Sequence, residues 1–417
     1  MQTEKLEIKN RIFFPNLNGL RFVSFLVVFA YHAYLSFFIH MKDTNPEGYG
    51  VLKFLFQNGY LGVNFFFVLS GFLITYLLIK EKETTTTVHV GNFYMRRILR
   101  IWPLFFLCIF IGFSLHPMLK NFFGEVAPEP AHSIYYYFFA ANFDYIHIFP
   151  LRPNGIVLPV LWSVCVEEQF YLTWPLIFWL VPLRKLKYVF LLIIGGSLVF
   201  RCFYTGCSDA VQAVRYFHTF SLIGDMALGG FLAYYCSYEN RFKNFFVNMN
   251  RPMILCLYVT TAACCLFRDS IFQCGIPVIF ERFVLASFFG MIILEQNYCV
   301  NSFFKMAQFK RVSKLGICTY GLYCLHLLGI TFVYKVLGKL HIDQSSVYVS
   351  IMATVTSLAI AIGMSILCYR YYEKRFLEIK ARFELIPTTS TIQNYKPQPR
   401  LTGLKKIIRK RVSDIYK

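Results

Sequence analysis

The sequence predicts an all-α integral membrane protein, a polytopic bundle of about ten transmembrane helices with both termini cytoplasmic. Three observations predict it. Hydrophobic residues make up 57% of the 417-residue chain and charged residues only 15%, against about 25% charged in soluble domains. Apolar runs recur at the length of roughly 20 residues that carries a helix across the hydrocarbon core. Basic residues collect between alternate runs, the pattern of cytoplasmic loops.

The apolar segments lie near 18–40, 60–79, 101–119, 162–182, 188–205, 218–236, 253–268, 276–295, 316–338 and 346–369. Residues 132–150 are ambiguous, being aromatic but carrying Asp144 and His147. If that stretch spans, Arg184, Lys185 and Lys187 fall outside. If it does not, 32 of the 42 Lys and Arg lie inside: the N-terminal end through Arg21, 80–100, 184–187, 241–251, 305–314 and the tail from Arg370. The second choice obeys the positive-inside rule. The 132–150 stretch then lies outside, or dips part-way in against protein. A multi-pass protein of the plasma (inner) membrane is expected, organised as a membrane unit over 1–376 and a basic cytoplasmic tail over 377–417. Residues 386–400, rich in Pro, Thr and Gln, read as a linker. LKKIIRKRV at 404–412 reads as a leaflet-binding amphipathic segment or as a plain basic tail.

Charge and cysteine usage narrow the class. A formal charge of +20 in a soluble chain would point to nucleic acid. Here the cations flank apolar runs beside an anionic leaflet, so the lipid bilayer is the expected partner and nucleic acid is not. The 13 cysteines sit mostly inside apolar runs and include no Cys-x-x-Cys pair. They read as small hydrophobes, and no metal site is expected. Cys207 and Cys274 both fall in outward loops, which leaves one bridge open. No cleavable signal peptide is expected, because the first residues are polar and the first apolar run is long. No solenoid repeat, glycine-rich phosphate loop or nucleophile elbow is visible.

Ionisable residues inside spans are costly and mark function by default. Arg21 and His32 in the first span are 11 residues apart, close to three helical turns, so they share a face with His32 roughly 16 Å further in. A snorkelling arginine with a structural histidine is the plain alternative. In the fourth span Ser163, Glu167 and Tyr171 form one face by i, i+4 spacing, while Glu168 points elsewhere. Glu167 suits orientation of a buried histidine, or a structural carboxylate held by hydroxyls. Arg96, Arg97 and Arg100 precede the third span; they suit a phosphate clamp or an ordinary cytoplasmic flank. Tyr323 and His326 lie in the ninth span and Asp225 in the sixth, beside Gly224, Gly229 and Gly230. Glu373, among Arg370, Lys374 and Arg375, reads as a solvated ion-pair partner.

Taken in order, these segments resemble the membrane acyltransferase family often called acyltransferase 3, from about Asn16 to Phe376. The carriers are LNGLRFVSFLVVFAYHA with Arg21 and His32, GVNFFFVLSGFLIT, FYMRRILRIWPL, LWSVCVEEQFYLTWPL, YGLYCLHLLG and YRYYEKRF. The resemblance implies transfer of an acyl group, usually acetyl from cytoplasmic acetyl-CoA, to a hydroxyl of an envelope or exported carbohydrate or glycolipid. It assigns catalytic roles to His32, Arg21 and Glu167, and binding of the acyl-CoA co-substrate to Arg96, Arg97 and Arg100. Ser163, Tyr171, Tyr323, His326 and Asp225 are expected to touch substrate. His32 would act as general base or carry an acyl-histidine relay. The hydrolase-like domain of some relatives does not follow the spans, so direct transfer or a separate extracytoplasmic partner is expected. A transporter or flippase for an envelope glycolipid is the competing reading.

Overall fold

In the computed structural model, the description covers residues 14–122 and 129–384; the tail segments 386–400 and 404–412 lie outside it. Each of the ten apolar segments is helical, and no strand occurs among the described residues. We label them α1 (Pro15–Ala33), α2 (Gly62–Thr85), α3 (Val90–Phe110), α4 (Leu161–Leu180), α5 (Leu186–Cys202), α6 (Thr219–Tyr238), α7 (Arg251–Leu266), α8 (Ile276–Tyr298), α9 (Thr319–Lys339) and α10 (Val347–Cys368). Among the described residues, six helical segments are long and apolar enough to cross a membrane. They contain α1, α2, α3, α8, α9 and α10. The count becomes seven if Asn240–Val247 and α7, bent by 91°, form one span.

Local chemistry sets the helix ends. Pro15 opens α1 at a position where its missing N–H costs nothing. The side chain of Asn250 accepts from the Met253 N–H and caps α7. Lys82 donates to the carbonyls of Phe178 and Val181, closing the C-terminal end of α4.

Packing divides into two apolar clusters that share α1, α2, α5 and α6. One joins them to α3, α4, α9 and α10; the other joins them to α7 and α8. The α2–α6 seam is among the tightest joints. A Cβ on Gly71 would lie 2.0 Å from the Met226 carbonyl oxygen, and one on Gly229 would lie 2.0 Å from that of Val68. Only hydrogen at these two positions lets the backbones approach so closely.

The 132–150 stretch forms two short helices, Ser133–Tyr137 and Ala141–Ile148, neither long enough to span. It packs on α4: Gln169 donates to the Phe139 carbonyl and to Asn142 Oδ1. Asp144 is fully buried and accepts from the backbone and ring of His132. Cys207 and Cys274 form a disulfide between the segments that follow α5 and precede α8. Cys108, Cys165, Cys236, Cys299, Cys318 and Cys324 are buried free thiols, as small hydrophobes should be.

Glu373 departs from expectation. It is buried rather than solvated, and its Oε1 lacks a hydrogen-bond partner. The cause is a π-helical turn, Tyr369–Glu373, which turns Glu373 inward toward Gly321 of α9.

Candidate active site

The site is assembled by four helices along one line through the bundle. α1 supplies Arg21 and His32, and α4 supplies Ser163, Glu167 and Tyr171 at successive turns of one face. α9 supplies Tyr323 and His326, and α3 the arginine cluster. Between Ser163 and Tyr171 lies roughly 12 Å of helical rise. The Arg21 end of α1 lies in the field of Tyr171 and Glu167, while its His32 end is linked through His326 and Tyr323 to Ser163, so the two rows run in opposite directions.

At one end, His32 Nδ1 lies 2.9 Å from His326 Nε2. His326 Nδ1 lies 2.7 Å from the backbone carbonyl of Tyr323. A carbonyl only accepts, so with neutral rings His326 Nδ1 carries the proton and its Nε2 carries the lone pair. His32 must then donate through Nδ1, which leaves its Nε2 as an unprotonated lone pair. His326 is fully buried, edge-on to Phe25 and Phe29. Nothing in the ring pair can rotate without breaking a hydrogen bond or a packed contact.

One layer further along, the Ser163 and Tyr323 hydroxyls are 2.6 Å apart, and Ser163 also bonds the Val160 carbonyl. Next comes Glu167. Its carboxylate accepts from Ser70 at 2.9 Å and from Tyr171 at 3.0 Å. The sequence left open that Glu167 orients His32. The partner of His32 is instead His326. The register of α4 puts Ser163 beside Tyr323, next to the histidine pair, and Glu167 a turn further on, in the field of Arg97 and Arg21. Glu168 faces α3 and accepts from Trp102 Nε1 at 3.0 Å.

The far end is cationic. Arg21 donates to Asn18 and shares its electrostatic surroundings with Arg100, Tyr171, Arg97 and Glu167. Arg97 stacks over the Tyr171 and Phe93 rings, and its buried Nε has no hydrogen-bond partner. Arg96 is engaged otherwise: it donates to Glu81 Oε2 at 3.0 Å and to the Phe383 carbonyl at 2.9 Å. The three arginines expected to act together thus divide: Arg97 and Arg100 share the field of Arg21, and Arg96 holds structure.

Asp225 lies outside this line. It is buried and ion-paired with Arg282 of α8. Arg282 neighbours a second buried network in which Arg201 and Arg268 both bind Glu281. These pairs tie α5, α6 and α8 together. Three residues near the line were not anticipated as site residues. Ser70 holds Glu167. Lys380 joins the arginines. Arg152, exposed on the loop before α4, brings its charge within reach of His32, Tyr31 and Tyr145. Arg152 is one of ten Lys and Arg outside the basic loops, a signal visible only as an exception.

Residues 14–370 match a family model described as an acyltransferase domain. The chain belongs to the acyltransferase 3 family. It is similar to the peptidoglycan O-acetyltransferase OatA of Listeria monocytogenes, with 26% identity over 372 residues, covering 84% of this chain and 54% of that protein. It is also similar to the O-acetyltransferase OatA of Staphylococcus aureus, with 29% identity over 235 residues, covering 53% of this chain and 34% of that protein. The chain thus spans about half the length of the first of these curated relatives and a third of the second. No solved structure matches it. Among the described residues, no group of His, Cys, Asp or Glu is arranged to hold a metal ion.

Proposed function

We propose that this family member transfers an acetyl group from cytoplasmic acyl-CoA to a hydroxyl of an envelope carbohydrate. Peptidoglycan is the first acceptor to test, because the relatives named above are O-acetyltransferases and one is named for that polymer. The observation that carries the reading is the fixed histidine pair. It presents His32 Nε2 as a base whose protonated form is stabilised through Nδ1 by His326.

The chemistry balances on this chain's residues. His32 Nε2 takes the proton of the acceptor hydroxyl as that oxygen attacks the thioester carbonyl. The carbon–sulfur bond breaks, and the thiolate leaves with the proton returned by His32. The cationic end receives the phosphates of the donor by charge-assisted bonds. Glu167 counterbalances Arg21 and Arg97 between the two ends. In an acyl-histidine variant, His32 Nε2 attacks the thioester first and hands the acyl group to the hydroxyl.

This reading includes ten spans with both termini cytoplasmic. Three features support it. Each of the ten segments is a helix. Most Lys and Arg lie on one side under that topology. The Cys207–Cys274 disulfide joins two loops on the other side, where an oxidising compartment favours it. The donor then arrives at the arginines and the acceptor at the histidines.

The test is incorporation of radiolabelled acetyl-CoA into envelope carbohydrate by membranes bearing wild-type protein or His32→Ala. Label with wild type alone supports the reading. Equal label with both variants refutes the role of His32. Failure of wild type to consume acetyl-CoA, with transport of a glycolipid instead, refutes transfer.

A further inference from the structure

Lys380 sits where a lysine is rarely found. It ends the helix Lys374–Lys380 and is 6% exposed. A cation that deep needs a counter-charge. Its ion pair is with Glu384, one turn on, at 3.0 Å. Its helix packs against α3, which carries Arg97 and Arg100, and Lys380 lies in the field of both like charges. This segment follows the last span, in the stretch that reads from sequence as the start of a plain basic tail.

Arg96 explains how the lysine is held there. Its guanidinium bridges the Phe383 carbonyl and Glu81. Glu81 is itself 3% exposed and also accepts the His89 N–H at 2.9 Å. The bridge fastens the segment after α10 to the N-terminal end of α3. Arg96 then has little left to offer an incoming anion. Arg97 Nε is buried and unpartnered. Arg100 has no hydrogen-bonded or ion-paired side chain among the described residues, although Glu373 lies within its field.

Four cations, Arg21, Arg97, Arg100 and Lys380, therefore converge at the cytoplasmic end. They draw on a few carboxylates that are partly committed elsewhere. Like charges crowded in a poorly solvated site repel strongly. A polyanion entering among them converts that repulsion into attraction. A planar guanidinium grips a phosphate with two bonds, and an ammonium adds a compact point charge.

We propose that Lys380 is a phosphate-binding residue for the nucleotide part of acyl-CoA, completing a cluster with Arg21, Arg97 and Arg100, while Arg96 anchors the segment that carries it. This rests on the acyl-CoA reading above. On binding, a donor phosphate takes up the Lys380 ammonium in exchange for the Glu384 carboxylate. Lys380 takes no part in the acyl transfer step.

The experiment measures binding of radiolabelled acetyl-CoA to the purified full-length protein in lipid nanodiscs. Acetyl transfer from acetyl-pantetheine, which lacks the nucleotide phosphates, is measured beside it. Variants are Lys380→Gln, Lys380→Met, which keeps the aliphatic stem, and Lys380→Arg. The expected result is a dissociation constant raised about tenfold in the Gln and Met variants, the scale of one lost charge-assisted bond. Lys380→Arg restores most of it, and transfer from acetyl-pantetheine stays near wild type in all three. Unchanged acetyl-CoA affinity in a folded Gln or Met variant overturns the assignment and leaves the donor reading intact. An equal loss with acetyl-pantetheine overturns it too, because it marks Lys380 as a packing residue. Wild-type protein that binds no acetyl-CoA overturns the donor reading, and this assignment falls with it.

Discussion

Replacing His326 by phenylalanine isolates the hydrogen bond that fixes the proposed base. The phenyl ring keeps most of the volume packed against Phe25 and Phe29, so the site should not collapse. What disappears is the Nε2 acceptor 2.9 Å from His32 Nδ1. In the resting enzyme that bond is neutral. As His32 takes a proton it becomes charge-assisted, a gain of about 1–1.5 kcal/mol over the neutral bond. At 1.36 kcal/mol per tenfold in rate, kcat should fall about 5- to 12-fold from this bond alone. The loss of a fixed tautomer adds to this, because part of the His32 population then presents Nε2–H to the acceptor. His326→Gln, whose amide oxygen can accept from Nδ1, should retain more activity than the phenylalanine variant. The assay is the initial rate of labelled acetyl transfer by membranes with both substrates saturating, normalised to folded protein by size-exclusion chromatography. His326→Phe running within about twofold of wild type, while His32→Ala is dead, would refute the argument. His32 would then act without its partner, and the tautomer reasoning would carry no catalytic weight.

Three other outcomes are expected. Glu167→Gln keeps the shape bonded by Ser70 and Tyr171 but removes the charge beside Arg21 and Arg97. Transfer should drop at least about tenfold, the scale of one charge-assisted bond, with the melting temperature little changed, as read by activity and thermal unfolding of the same preparation. Asp225→Ala leaves Arg282 buried without its carboxylate. It should cost about 3–5 kcal/mol of stability, seen as a lower melting temperature, while the rate per folded molecule stays near wild type. A collapse of that rate in fully folded protein would restore Asp225 to the substrate site. Cys207 and Cys274 should react with a membrane-impermeant maleimide in intact cells only after reduction. Labelling that requires lysed cells would reverse the proposed orientation.

Much of the candidate site was legible because membrane burial makes charge conspicuous. Arg21, His32, Glu167, Arg97 and Arg100 stand out as ionisable groups in or beside apolar runs, and all five lie along one line through the bundle. Helical spacing also put Ser163, Glu167 and Tyr171 on one face, as observed. Pairing was not legible. His326 and His32 are 294 positions apart, and no local period relates them. Glu167 suited a histidine partner, yet helix register gave it to Ser70 and Tyr171. Asp225 looked like a site residue for the same reason as Glu167, and Arg282 across the α6–α8 contact gives it a structural counter-ion. Glu373 looked solvated because its sequence neighbours are charged, but a π turn pointed it inward.

The sequence by itself determined the class of molecule. Long apolar runs can satisfy their backbone in lipid only as helices, and the spread of Lys and Arg biases their direction. It also determined which charges must have a reason to be buried. The tertiary structure alone decided which of those charges meet. Two histidines on helices distant in sequence became one hydrogen-bonded pair. Two arginines of a cluster came near Arg21 while the third tied down the chain after the last span. That segment brought a lysine to the cluster. These choices depend on helix register and crossing, and both are set by close packing at joints such as Gly71 against Met226 and Gly229 against Val68. Such contacts exist only once all the helices are in place.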